Sequence, residues 1–417
     1  MLPAPRNPFQ SLRHRPFRLF FAGQFVSLVG TWMQVVAQGW LVLELTDSPF
    51  YVGVVSALGS VPILFFTLWG GVLADRVHRR RALIILQSLM LVDALALATL
   101  TATGTITLSW VMLLAAIHGT SAAFEVPIRQ AFIMEMVGRD DLMNAIALNS
   151  SNFNLTRILG PAVAGGVIAA AGVTPCFFLN SASFLAAIGS LVAMGKDHEP
   201  AVPRTGAQSA TFREGLDYVW GREEPRALLL LTAAFSVFGF SFVPMLPVLA
   251  RDVLGTGAVG YGFLMTSVGV GASAGALAMA SWGHRFPAHR VIRVAGLGFG
   301  LALGIAAVSR SWPVVAAAVG LAGFAMILNN VSSNARLQTC APDHLRGRVM
   351  GFYAMMVLGV SPLGALQAGW VSEHLGVPAS LGMGAIASVA AAFLLHPAGR
   401  IPGGSGGGGV HIEGAGT

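Results

Sequence analysis

Long apolar runs, each near the length that crosses a lipid bilayer, recur along almost the whole of this 417-residue chain. A helix rises about 1.5 Å per residue, so about 20 apolar residues cross a hydrocarbon core of about 30 Å. Such runs fall at 17–43, 50–73, 82–102, 107–127, 145–171, 174–194, 227–250, 258–282, 290–309, 312–335, 347–371 and 376–396. They predict an all-α membrane protein with twelve transmembrane helices, because lipid offers no partner to an unpaired backbone N–H or C=O. Charge supports the reading: charged residues are 10% of the chain, against about 25% in a soluble domain. The first run, from Phe17 to Leu45, outlasts the apolar core of a cleaved leader and is predicted to remain as a span.

Basic residues supply an independent test of count and orientation. With the N-terminus in the cytoplasm and the spans alternating, 22 of the 25 Lys and Arg lie at the cytoplasmic face. Arg251 and Arg310 fall on the other side, and Arg157 falls within a span. That bias is the positive-inside pattern. It predicts a multi-pass protein of the bacterial inner (cytoplasmic) membrane with both termini cytoplasmic. It also accounts for the net charge of +7 without nucleic acid, since the basic residues sit in short clusters between apolar runs. The two cysteines, Cys176 and Cys340, are predicted on opposite faces and imply no disulfide framework.

The polar stretch 196–226 divides the chain into a six-span half at 1–195 and another at 227–400, followed by a Gly-rich tail at 401–417 expected to be disordered. The halves are related in pattern. An arginine-containing segment leads to Asp141 in one and Asp343 in the other, with a proline about twenty residues on, Pro161 and Pro362. Two pseudo-symmetric six-helix bundles with a binding site between them are the expected architecture.

Between the second and third spans the chain reads GGVLADRVHRRRALI. On composition alone, a basic loop that merely orients the chain accounts for it. The order of residues resembles the signature of the major facilitator superfamily, Gly-x-Leu-Ala-Asp-Arg-x-Gly-Arg-Arg/Lys. Gly71, Leu73, Ala74, Asp75, Arg76, Arg79 and Arg80 are in register, and His78 replaces the usual glycine. The resemblance covers all twelve spans. It implies that Gly71, Asp75, Arg76 and Arg80 gate alternating access. The fifth span, RILGPAVAGGVI, is similar to the Gly-Pro-x-x-Gly-Gly motif of exporters in that superfamily, through Gly160, Pro161 and Gly165, with one extra residue between the pairs. Ordinary small-residue helix packing explains these glycines equally well on spacing alone. The whole pattern most resembles the drug:proton antiporter branch that includes the enterobactin exporter and macrolide efflux proteins.

Two spans carry polar stripes. Gln24, Ser27, Thr31, Gln34 and Gln38 share a face of the first; His118, Ser121, Glu125 and Arg129 share a face of the fourth. Amides and charges do not face lipid, so these stripes face protein or a watery cavity. Thr31, Gln34, Gln38, His118 and Asn330 are the cavity candidates, and the resemblance, which implies a cavity lined by spans 1, 4, 7 and 10, agrees. Interhelical hydrogen bonding without a ligand is the competing explanation. Ionisable groups within spans are few and are functional candidates by default. Glu125, Asp93, Arg157 and Arg129 are the candidates for proton coupling, with Arg157 able to hold either Glu125 or an anionic substrate.

The chain has a single lysine, Lys196, in a context that makes no phosphate-binding Gly-Lys-Ser/Thr loop. No metal-binding spacing, no cofactor signature and no nucleophile elbow is present, so an enzyme is not expected. The expected function is a secondary transporter of small amphipathic molecules, drugs or siderophore-like metabolites, driven outward by protons. An uptake symporter of the same fold is the alternative, and a non-transporting scaffold or sensor ranks last. A monomer in the bilayer is the favoured state.

Overall fold

The computed structural model describes residues 8–195 and 212–394. The first part of the central stretch, 196–211, and the tail at 401–417 lie outside the described residues. The described chain is helical, with no β-strand among the described residues. In chain order the helices are α1 (Arg15–Thr46), α2 (Pro49–Ala74), α3 (Arg79–Ala102), α4 (Leu108–Ala171), α5 (Thr174–Ala193), a short α6 (Phe212–Trp220), α7 (Glu223–Val253), α8 (Gly257–Trp282), α9 (Ala288–Val308), α10 (Trp312–Cys340), α11 (Arg346–Leu375) and α12 (Val377–Leu394).

Eleven of these are long and apolar enough to cross a membrane. The 64 residues of α4 would extend about 96 Å if straight, three times the hydrocarbon thickness. The helix is instead broken at Gly138, whose φ of 71° is left-handed backbone that a residue with a Cβ resists. It therefore holds two crossings, and the eleven helices make twelve. This corrects the expected boundaries at 127 and 145. The connector between the fourth and fifth spans is one glycine, and helical backbone continues on both sides of it. Two other expected connectors are as short as predicted, at Gly172–Val173 and Ser309–Ser311.

Small residues bring the helices together in matching pairs. In the first half α2 meets the first limb of α4 where Gly119 lies on the backbone of Gly59. In the second, α8 meets α10 where Gly271 lies on that of Gly320. No side chain larger than hydrogen fits at either crossing. Lipid supplies no hydrophobic drive between helices, so such close backbone approach carries the association. Aromatic packing adds to it in the second half, where Phe235, Phe240 and Phe242 surround Phe299. α7 is irregular, with wide helical turns at 235–239 and 249–253 and a tight one at 240–245, where Pro244 and Pro247 cannot donate to the regular ladder. Tyr218 of α6 donates to the carbonyl of Cys340 at 2.5 Å, and burial pushes its hydroxyl above the usual range.

The two halves touch along α2 with α11 and along the second limb of α4 with α8. Gly53 rests on the carbonyl of Ala365 and on Gly369, and Gly165 rests on Gly262.

Candidate functional site

A cavity of about 230 Å³ lies beneath the contact between the halves. Gln38 of α1, Ser56 and Ser60 of α2 and His118 of α4 supply its polar lining; Pro244 of α7 and Tyr261 of α8 close it from the second half. Its remaining wall is valine and small residues, so it offers an apolar surface with a few hydrogen-bonding groups, the usual make-up of a small-molecule site.

The α1 stripe divides between two duties. Gln38 lines the cavity, as expected. Gln34 does not: it is buried and accepts from Asn180 of α5 at 2.6 Å, so it holds the bundle together. The spacing of the stripe is right, but two neighbouring directions on one helix face different partners. Thr31 donates to the carbonyl of Ser27 within its own helix. Asn330 uses its backbone carbonyl to accept from the Tyr353 hydroxyl at 2.9 Å.

Four ionisable groups lie at membrane depth in the first half as two pairs. Glu125 meets Arg129 at 2.9 Å, one turn apart on α4, both buried. Gln24, Gln87 and Ser190 line the same small void as Glu125. His118 Nδ1 lies 3.5 Å from a carboxylate oxygen of Asp93 on α3. Asp93 is almost sealed from solvent, and His118 reaches the cavity on its other side. A carboxylate there is stable only with a cation or a proton beside it. The pair thus joins a cavity-facing imidazole to a buried acid.

Arg157 stands apart. It does not hold Glu125. Its guanidinium donates to Asn154 at 3.2 Å and lies over the Phe153 ring, 5.9 Å from the centroid.

The loop motif is in place, with its parts redistributed. Asp75 is 72% exposed and reaches Arg79 at 3.6 Å. Arg79 is buried, donates to the Ala74 carbonyl and pairs with Glu135 of α4. Arg80 donates to the Leu191 and Val192 carbonyls at the end of α5. Arg76 is exposed. The glycine that packs is Gly70, against Ala123 and Pro127; a side chain at Gly71 would meet open space. Glu135 and Asp141 went unrecognised as partners. Asp141 accepts from Gln10, Arg13 and His14, tying the start of α1 to the start of the fifth crossing. The carboxylates Glu135, Asp140 and Asp141, set close to Arg139 between two apolar runs, were the available signal.

In the fifth crossing Gly160 packs on Trp32 and Val29 of α1, while Pro161 and Gly165 meet Gly262 of α8. The motif is the joint where this crossing touches both its own half and the other. A Cβ at Gly166 would meet nothing within 4 Å, so it is Gly165 rather than Gly166 that makes the close approach.

Comparison with known proteins agrees with this fold. The chain is 25% identical over 91% of its length to a staphyloferrin A transporter of Staphylococcus aureus, covering 95% of that protein. It is 26% identical to the multidrug efflux pump Tap of Mycolicibacterium fortuitum, over 88% of this chain and 91% of that one. It is 24% identical to the enterobactin exporter EntS of Salmonella choleraesuis, over 92% of both. Among solved structures, the nucleoside transporter NupG superposes with a TM-score of 0.75 at 14% identity, over 91% of this chain and 98% of that one, which shows the fold. A family model described as transmembrane secretion effector matches residues 6–404. The chain is therefore a transporter of the major facilitator class, not an enzyme, and belongs to the transmembrane secretion effector family.

Proposed function

We propose that this protein exports small amphipathic molecules, drugs or siderophore-like metabolites, across a bacterial inner membrane in exchange for protons. The halves bounded at residues 195 and 227 rock about the cavity. The observation that carries this reading is a mostly apolar cavity lined by both halves, with the Asp93–His118 pair at its wall and the buried Glu125–Arg129 pair about two turns further along α4. The arginine-rich end is taken as cytoplasmic, with both termini on that side, on the strength of the basic-residue bias. Efflux pumps and an exporter among the relatives support the outward direction.

Proton coupling falls to Glu125 with Arg129 and to Asp93 with His118. Protonating either acid removes a buried charge and frees its cation, which biases one conformation over the other. Substitution of Glu125 by Gln is expected to cut proton-driven efflux at least about tenfold, because Arg129 is left without its partner in a low-dielectric site. Facilitated movement down a substrate gradient is expected to persist. Undiminished proton-driven export by E125Q would remove that residue from the mechanism. Flux measured in oriented vesicles separates export from uptake by a symporter of the same fold.

A further inference from the structure

The membrane-depth charges do not balance. Asp93 and Glu125 already have His118 and Arg129, and Arg157 has no carboxylate within ion-pair distance among the described residues. Nor can its neighbours supply one. The fifth crossing packs on α1, whose one acid, Glu44, lies at the far end and accepts from Trp40. It packs also on α8, which contains no acid at all. The Nε of Arg157 is buried and has no hydrogen-bond partner.

The direction in which this cation points follows from its helix. Leu155, Leu159 and Val163 are exposed along one side of the crossing, the lipid side. Thr156 and Gly160 are buried on the side of α1. Ile158, Pro161 and Gly165 meet α8. Ser150, Asn154 and Arg157 occupy the remaining arc, opposite the lipid side and between α1 and α8. That arc faces the space between the halves. Phe153 flanks it and stacks edge-on with Trp32 of α1, the ring centroids 5.7 Å apart.

We infer that Arg157, with Asn154, Phe153 and Trp32 beside it, forms an anion-binding subsite, so that the natural substrates include molecules carrying a carboxylate or similar planar anion next to an aromatic or flat apolar part. The inference rests on the transporter reading and narrows its substrate class. A guanidinium offers paired N–H donors in the geometry of a carboxylate. The two rings offer a flat surface to the rest of the molecule. An unpaired arginine at this depth is costly, and a substrate anion offsets that cost when bound.

The full-length protein in lipid nanodiscs tests this by fluorescence polarisation with carboxyfluorescein, an anionic aromatic, and ethidium, a cationic one. Carboxyfluorescein is expected to bind the wild type. R157Q should weaken it roughly ten- to hundredfold and R157K by less, with ethidium binding not reduced. On the wild type alone, benzoate should displace the dye and its neutral isostere benzamide should not, which keeps the test valid if R157Q fails to fold. Absence of carboxyfluorescein binding, equal loss of both dyes in R157Q, or equal competition by benzoate and benzamide would overturn the subsite. Dye flux in everted vesicles separates the two readings. Carboxyfluorescein bound but never moved counts against export and leaves the subsite standing. Ethidium moved with no anion bound does the reverse.

Discussion

The two ends of the molecule use their charges differently. At the arginine-poor end, contacts run between the halves. Arg251 of α7 reaches Asp47 at 2.5 Å and the Leu43 carbonyl at 3.3 Å, both beyond the end of α7's own half. Glu373 of α11 accepts from Ser48 Oγ at 2.8 Å and from the backbone N–H of Phe50, in the first turn of α2. A carboxylate at a helix N-terminus is well placed for that charge. At the arginine-rich end, described ion pairs stay within a half. Arg79 pairs with Glu135 and Arg13 with Asp141 in one; Arg336 pairs with Glu224 and Arg346 with Asp343 in the other. The structure is thus a conformation closed at the arginine-poor end, and the exposed Asp75 reaches only Arg79 of its own half among the described ion pairs. The comparison teaches that one end is held by contacts across the halves while the other keeps its described ion pairs within each half.

The largest expected effect comes from disturbing the packing. A side chain at Gly53 would collide with the backbone of α11, which cannot swing aside as a flexible side chain can. Overpacking costs about 1–3 kcal/mol, and about 1.4 kcal/mol moves a two-state equilibrium tenfold. Gly53→Leu is therefore expected to open the arginine-poor end and abolish transport. Spin labels at the exposed positions 105 and 310, one in each half at this end, should report a longer distance; an unchanged distance would show that packing does not hold this end.

Removing charge there should do less. Asp47 is 84% exposed, and exposed ion pairs are worth about 0–1 kcal/mol. R251Q and E373Q are each expected to shift the same distance distribution only a few-fold in population, with a stronger shift at low salt. If E373Q opened this end as fully as G53L, the ranking of packing over charge would be wrong.

The smallest effect on stability is expected at the other end. Asp75→Asn should leave the melting temperature unchanged, within about 0.5 kcal/mol, because an exposed carboxylate gives up little. Turnover should fall if Asp75 is needed only when the arginine-rich end closes. A large loss of stability with unchanged turnover would make it an ordinary surface residue.

Much of this was legible in the chain. Twelve crossings, their helical nature and the clustering of arginine follow from composition along the sequence, because lipid as solvent leaves each segment so little choice. The motif residues Asp75, Arg79 and Arg80 and the joint at Gly160, Pro161 and Gly165 were visible as spacing. Other features were not. A polar stripe says that a helix face avoids lipid, yet Gln34 and Gln38 on one such stripe meet a neighbouring helix and a cavity respectively. Gly70 and Gly71 are adjacent and chemically identical, and only the position of α4 decides which one packs. The pairing of Asp93 with His118 joins residues on different helices, and no spacing along the chain encodes it. What the sequence by itself determined is the solvent of each segment, a property each residue carries with it. What only the tertiary structure decided is partnership: which buried charge is neutralised by a neighbour and which, as at Arg157, is left over. That depends on distances between helices, which no single segment contains.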